Sequence, residues 1–509
     1  MTSRSRRSAV TRLRSISWSL VTAGSSGSVA RRDATSATRR ARSDTTVVIE
    51  DNSAASGPIP QVCLRKYTDA ILHADSLKDV LRRIDLRGFT GDLAQVLPRP
   101  DPVGDGPVAA VQEILREVNA EGDAAVRRAT ERFDGVVVDQ LVISGADIDR
   151  ARDHIAPELL AALTDAARRI TVYHEAQLPS DVHREDDGIT IRGLHRPVQR
   201  AACYVPGGRA VYPSTVLMTA IPARVAGVEE IVVCVPPGPD GRVPDVVLAA
   251  ASVAGVTEVI CAGGAQAIGA VAYGTETIRP VDVIVGPGNV YVALAKQQVA
   301  GLVGVPSAFA GPSEVVVIAD GSLPAAYAAI DVIVQAEHGP DGLAWLITWN
   351  PEFADEVEGE MVRLTDEAVR RDDIAATLSS AGLLVLVDGP ESAVAVANMV
   401  APEHLELQTE DPEALLPAVR NAGAVFCGAY APASLGDYAA GPSHVLPTNG
   451  SARFSSALTV TDFLKDVHVV TVTRAGFDAI ADTVERLANA EGLDAHAQSV
   501  RLRRPEARA

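Results

Sequence analysis

The chain has 509 residues, 47% hydrophobic and 22% charged, with only 4% aromatic. That composition is globular, long enough for several domains, and suited to aliphatic cores built from β-α units. A net charge of -19 argues against non-specific attraction to nucleic acid or an anionic membrane, and no apolar run approaches the roughly 20 residues of a spanning helix. The five cysteines, Cys63, Cys203, Cys234, Cys261 and Cys427, are odd in number and contain no C-x-x-C pair. A disulfide framework or a cysteine zinc site is therefore not expected, and a reducing cytoplasm is.

The first 44 residues differ from the rest, with ten arginines, no lysine and two acids, Asp33 and Asp44, so the remainder carries about -27. Residues 1–77 are expected to form a basic, disordered extension outside the fold. A Ser/Arg-rich, acid-poor start also has the composition of an organelle import signal, or of sequence upstream of a later start. Residues 107–134 have helical periodicity, and a second helix is expected at 157–176. The acidic stretch 180–195 reads as a loop or hairpin around Asp186-Asp187-Gly188.

From Cys203 onward, short β-branched runs alternate with Ala-rich helices. Strands are expected at 231–235, 258–262, 282–285, 315–319, 343–348 and 383–387, and helices at 213–227, 244–254 and 323–337. Continuous apolar strands separated by helices imply an α/β fold with parallel sheets covered on both faces, and the strand count fits two sheets. The tail from about 460 to 509 reads as helical with little core of its own, as if it packs on a partner subunit.

No G-x-G-x-x-G follows a strand. Three Gly-rich turns stand instead at Tyr204-Val205-Pro206-Gly207-Gly208-Arg209, at Gly263-Gly264-Ala265-Gln266-Ala267-Ile268-Gly269 and at Gly286-Pro287-Gly288-Asn289-Val290-Tyr291. The last two precede helices, whose N-termini suit a phosphate or another polar ligand, although ordinary tight βα turns have the same pattern. Gln335 and His338 are three apart at the end of an expected helix, so they share a face on which a metal ion can sit; a capping histidine is the alternative. Pro402-Glu403-His404 reads as the first turn of a short helix, whose dipole would favour an ionised Glu403. The irregular stretch 434–448 mixes Asp437, Ser443 and His444 with Gly and Pro, as site loops do. Glu491 and His496 lie in what local composition alone reads as a solvated tail.

Taken together, YVPGGRAVYPS, AGGAQAIGA, VGPGNVYV, AGPSE, QAEHGPDG, PEHLE and SLGDYAAGPSHVLPT resemble the histidinol dehydrogenase family over roughly residues 80–500. The resemblance implies two Rossmann-like domains, one of residues 101–202 plus 314–459 and one of 203–313 that binds NAD. It also implies a small N-terminal helical segment at 78–100 and a C-terminal dimerisation segment at 460–509. It implies zinc held by Gln335, His338, Asp437 and His496, the last from the other subunit of a homodimer. Glu403 and His404 match the catalytic pair, and Tyr204, Gln266 and Asn289 the NAD contacts. Ser313, His404 and Glu491, with the zinc ligands Gln335, His338, Asp437 and His496, match substrate positions.

The implied reaction is a four-electron oxidation of L-histidinol to L-histidine through the aldehyde, using two NAD⁺. His404 would accept the alcohol proton and Glu403 would activate water toward the aldehyde. A cysteine thiohemiacetal is the other route to an acid, but Cys203, Cys234 and Cys261 sit beside or within apolar strands, where buried, inert thiols are expected. Two further readings remain: a related zinc/NAD dehydrogenase of another polar alcohol such as a sulfonated diol, or a catalytically silent scaffold, which the intact Glu403-His404 pair weighs against.

Overall fold

The computed structural model describes residues 80–98, 106–207, 210–306, 311–337 and 342–504. The expected extension at 1–77 lies outside the described residues, as do Gly208, Arg209 and the candidate ligand His338.

The first half runs β1 (Arg82–Asp85), α1 (Gly106–Asp134), β2 (Val142–Ser144), α2 (Gly145–Arg150), α3 (Pro157–Glu175), β3 (Val182–Asp186), β4 (Ile189–Pro197), β5 (Arg200–Tyr204), α4 (Pro213–Ala226), β6 (Glu230–Val235), α5 (Asp245–Ala254), β7 (Glu258–Cys261), α6 (Gly264–Tyr273), β8 (Val283–Val285) and α7 (Val290–Val299). The second half runs β9 (Glu314–Ala319), α8 (Ala325–Ala336), β10 (Leu343–Thr348), α9 (Pro351–Glu367), α10 (Arg371–Ala381), β11 (Gly382–Leu386), α11 (Pro390–Val400), β12 (His404–Gln408), β13 (Ala424–Cys427), α12 (Ala433–Tyr438), β14 (Leu464–Val472), α13 (Arg474–Ala490) and α14 (Asp494–Arg501).

Two large sheets organise these elements, as the alternation of apolar strands and helices predicts. One is wholly parallel, in the order β1-β11-β10-β9-β12-β13. Along β9, Val315 and Val317 enter one core with α8 and α9, while Val316 and Ile318 enter the opposite core with α11. Burial on both faces is why this strand has no polar alternation. The other sheet, β2-β7-β6-β5-β8, is parallel except for β2. A third, antiparallel sheet joins β14, β4 and β3, so 180–195 is a hairpin. No described helix is long and apolar enough to cross a membrane.

Three expectations change. Residues 78–100 hold a strand, β1, which pairs with β11 and buries Leu81 and Leu86 at its ends. Its own residues, Arg-Arg-Ile-Asp, carry no apolar run to announce it. The tail is not all helix, because β14 pairs with β4 along nine residues before α13 begins. Residues 106–202 share a core chiefly with the five-stranded sheet, and Val445 and Leu458 of 314–459 join that same core. Val111, Leu115 and Val118 on α1 and Leu163 and Ile170 on α3 belong to that core, and Gly269 on α6 lets Leu115 and Val118 approach closely.

The five-stranded sheet has a topological switch. From β5 the chain steps to β6 and β7 on one side, then returns to place β8 on the other. The carboxyl ends of β5 and β8 therefore border a crevice of the kind in which α/β sheets bind ligands. Tyr204 ends β5, and Gly286-Pro287-Gly288-Asn289 follows β8. Gly286 has φ +101°, and a Cβ there would overlap the Tyr204 carbonyl oxygen. Gly286→Ala should cost about 2–4 kcal/mol, from left-handed strain plus overpacking. Urea unfolding checks this; an unchanged midpoint would mean that the crevice does not need the glycine.

Candidate active site

Glu403 and His404 enter their site from a strand, not from the helix start that Pro402 suggests. α11 stops at Val400, Ala401 adopts φ 55°, and His404 opens β12, paired with β9 on one side and β13 on the other. Leu405 and Leu407 are fully buried and alternate with Glu406 and Gln408, which is a strand pattern. Glu403 thus receives no helix dipole. Its surroundings are set by the neighbouring strand instead. The Glu403 amide donates to Glu314 Oε2 at 3.2 Å, and the Glu314 amide donates to Glu403 Oε2 at 2.9 Å. Burial pushes the Glu403 carboxyl up to about 7, although His404 and the Glu314 amide hold it down in part. Burial, then the charge of Glu403, pushes Glu314 up to about 8.

His404 is 4% exposed, and its ring stacks on Phe426 with centroids 5.9 Å apart. Its Nδ1 lies 3.0 Å from the Glu314 carbonyl oxygen. A carbonyl only accepts, so Nδ1 carries a proton and Nε2 is the position that exchanges one. Nε2 lies 3.5 Å from Asp437 Oδ1, too long for a strong hydrogen bond, and is buried without a hydrogen-bond partner among the described residues. Burial alone would lower this imidazole's proton affinity, but the carboxylates of Glu403 and Asp437 outweigh it and raise the group to about 9.

Asp437 sits on α12, at the head of the irregular stretch. Its carbonyl pairs with His444 Nδ1 at 2.8 Å, and His444 Nε2 lies 3.1 Å from Thr215 Oγ1 on α4. Ser443 Oγ donates to the Met218 carbonyl at 3.0 Å. The stretch after α12 is thereby fastened to the helix that follows the Tyr204 turn, and His444 is a strut rather than a member of the acid–base pair. Gln335, in the last turn of α8, is 4% exposed, and its Nε2 is buried without a hydrogen-bond partner among the described residues. Ser313 stands at the entry to β9, where its carbonyl accepts the Leu343 amide. Glu491, which caps the end of α13, and His496, on α14, are exposed and form no hydrogen bond or ion pair with Gln335, His404 or Asp437 among the described residues.

At the other sheet, the Tyr204 hydroxyl accepts the Gly264 amide at 3.0 Å and burial pushes the phenol up. Gln266 is 1% exposed beneath the same turn, while Asn289 is exposed and caps α7 through the Tyr291 and Val292 amides. Tyr204 therefore pins two of the three glycine turns together. Cys203 and Cys234 are buried and pushed up to about 12 by burial, and Cys261 to about 11, so none is poised as a thiolate.

Two buried acids escape motif reading, Glu314 and Glu406. Glu314 opens the apolar run of β9 and Glu406 stands between Leu405 and Leu407 on β12, and a buried acid so placed needs a partner; that placement was the available signal.

Among described residues no cluster of three or more His, Cys, Asp or Glu side chains is arranged to hold a metal. The donor types nevertheless suit a cation: Gln335 offers a buried amide whose Nε2 has no hydrogen-bond partner among the described residues, leaving the group free to turn its oxygen to an ion, and Asp437 offers a carboxylate.

The histidinol dehydrogenase family pattern matches residues 101–504. The histidinol dehydrogenase of a Synechococcus strain is 49% identical over 398 residues, covering 78% of this chain and 92% of that protein. The histidinol dehydrogenase of Rhizobium meliloti is 46% identical over 418 residues, covering 82% and 96%. A crystal structure of histidinol dehydrogenase from Elizabethkingia anophelis superposes with a TM-score of 0.78 at 33% identity, covering 83% of this chain and 98% of that one. The chain belongs to the histidinol dehydrogenase family and is an oxidoreductase of histidine biosynthesis.

Proposed function

We propose that the chain oxidises L-histidinol to L-histidine through the aldehyde, reducing two NAD⁺ in succession at a zinc-containing site shared across a homodimer. The observation that carries this reading is the buried Glu403–His404 pair, with one imidazole nitrogen fixed by a carbonyl and the other turned toward Asp437. Gln335, His338, Asp437 and His496 of the partner subunit would hold the zinc. When bound, the ion supplies a template that orients the imidazole and amine of the substrate.

His404 accepts the alcohol proton at Nε2 as hydride leaves. To do so it must be neutral, and a cation on Asp437 would weaken the carboxylate's hold on that proton. Glu403, near neutrality, takes a proton from water that adds to the aldehyde, so the second hydride leaves from a tetrahedral carbon. The high thiol pKa values favour this water route over a thiohemiacetal. Ser313 and Glu491 complete the substrate contacts. NAD⁺ would lie along the β5–β8 crevice against the turns of Tyr204, Gln266 and Asn289. An acidic body with no membrane-length helix among the described residues accords with a cytoplasmic enzyme.

Purified protein with Zn²⁺, NAD⁺ and L-histidinol should yield two NADH per L-histidine, read by absorbance and amino-acid analysis. NADH without histidine, or no NADH, would contradict the assignment. Glu403→Gln should slow aldehyde oxidation by about 10²–10⁴-fold while leaving zinc content unchanged; loss of zinc with the aldehyde step intact would refute the role. Because Glu403 acts ionised, the aldehyde step should rise with pH through about 7 and then level. Mixing inactive His338→Ala and His496→Ala chains should restore activity, since one of the two shared sites in the heterodimer is then intact. No recovery despite proven subunit exchange would argue against sharing.

A further inference from the structure

Glu406 lies two residues beyond His404, so both side chains leave β12 on the same face, yet the chemistry above does not use it. The residue is 1% exposed. Its Oε1 accepts the amide of Ala433, the first residue of α12, at 2.9 Å, and its Oε2 accepts Gln408 Nε2 at 3.0 Å. The same Gln408 Nε2 donates to Asp331 Oδ2 on α8 at 2.7 Å. One neutral amide thus touches two carboxyl groups, and among the described residues neither forms an ion pair with Lys, Arg or His. Two ionised carboxylates in this setting would repel in a poorly solvated interior, whereas one retained proton turns repulsion into a carboxyl–carboxylate hydrogen bond. Burial first, then the charge of Asp331, pushes Glu406 up to about 8, and burial likewise raises Asp331.

The place of the pair gives it a purpose. Asp331 precedes Gln335 by one turn of α8, and Ala433 precedes Asp437 by one turn of α12. Glu406 shares a strand face with His404. The three elements that carry Gln335, His404 and Asp437 are therefore joined by this one set of hydrogen bonds.

We propose that Asp331 and Glu406 form a proton-sharing joint that fixes α8, β12 and α12 against one another, and thereby positions Gln335 and Asp437 for the metal and His404 as the base beside them. Both are positioning residues, since neither reaches the reacting atoms, and the proposal rests on the zinc reading above. A glutamine at 406 keeps the joint if the Gln408 amide turns over: the new oxygen accepts the Ala433 amide, the new nitrogen donates to Asp331, and Gln408 Oε1, without a partner among the described residues, faces that nitrogen in place of Nε2. An alanine leaves both unsatisfied.

The test compares wild type, Glu406→Gln and Glu406→Ala by zinc competition with a chromogenic chelator at pH 7 and pH 9, and by thermal unfolding of the zinc-free chains from pH 5 to 9. Glu406→Gln should hold zinc within about twofold of wild type at pH 7, and Glu406→Ala about tenfold or more weakly. Zinc held equally well by the alanine variant, or as poorly by the glutamine variant as by alanine, would overturn the proposal.

The thermal readout does not depend on zinc. A carboxyl raised from 4.5 to about 8 makes the folded state bind the extra proton, so stability falls as pH rises across that window. Wild type should lose Tm between pH 5 and 8 more steeply than Glu406→Gln. Equal slopes would overturn the shared proton even if neither chain binds zinc, while different slopes without zinc binding would sustain the joint and refute the metal reading. If Glu406→Ala fails to fold, Asp331→Asn takes its place. It should keep zinc at pH 7 and show a slope between those of wild type and Glu406→Gln, since burial still holds Glu406 up, and a wild-type slope would overturn the proposal.

Discussion

Glu314 and Glu403 head two neighbouring parallel strands, and each carboxyl accepts the other residue's backbone amide. Parallel pairing of β9 and β12 places these amides at the rim of the sheet, where the regular ladder has just begun and each would otherwise lack an acceptor. The acids satisfy the amides, and the amides make two buried acids tolerable. Burial raises both carboxyls toward neutrality, which turns an ordinary weak acid into a base suited to neutral pH. The carbonyl of Glu314 then fixes the His404 tautomer, so a single strand-end pairing orients the whole acid–base pair.

The two large sheets divide the labour by their opposite ends. In the six-stranded sheet Glu314, Glu403 and His404 stand at the amino ends of β9 and β12. In the five-stranded sheet the glycine turns stand at the carboxyl ends of β5, β7 and β8, around the switch in strand order. What couples them is the stretch after α12, tied through His444 to Thr215 and through Ser443 to Met218. That attachment explains why so polar an irregular segment is held in place: its side chains spend their hydrogen bonds on α4, whose approach follows the Tyr204 turn.

The sequence made the apolar parallel strands plain, because Val-Val-Val-Ile and Leu-Ala-Trp-Leu-Ile have no other buried solution. It hid β12, where Pro402 and an acid imitate a helix start and only the Leu405/Leu407 alternation tells against it. It also hid β1, an edge strand of arginines, and β14, whose partner β4 lies more than 250 residues away. At the site, motif reading found Glu403, His404 and Asp437, which the fold brings together. It assigned no role to Asp331, nor to Glu314 and Glu406 although AGPSE and PEHLE contain them, because their significance lies in contacts between strands and helices distant in sequence. Tyr204 was legible as a residue of a glycine-rich turn but not as the hydroxyl that holds Gly264.

The central claim is that Glu403 is a buried carboxyl poised near neutrality. Difference infrared titration of the zinc-free wild type against Glu403→Gln isolates its protonated C=O band. The account predicts that this band disappears as pH rises through about 7. A band already lost near the ordinary glutamate value of 4.5 would contradict it.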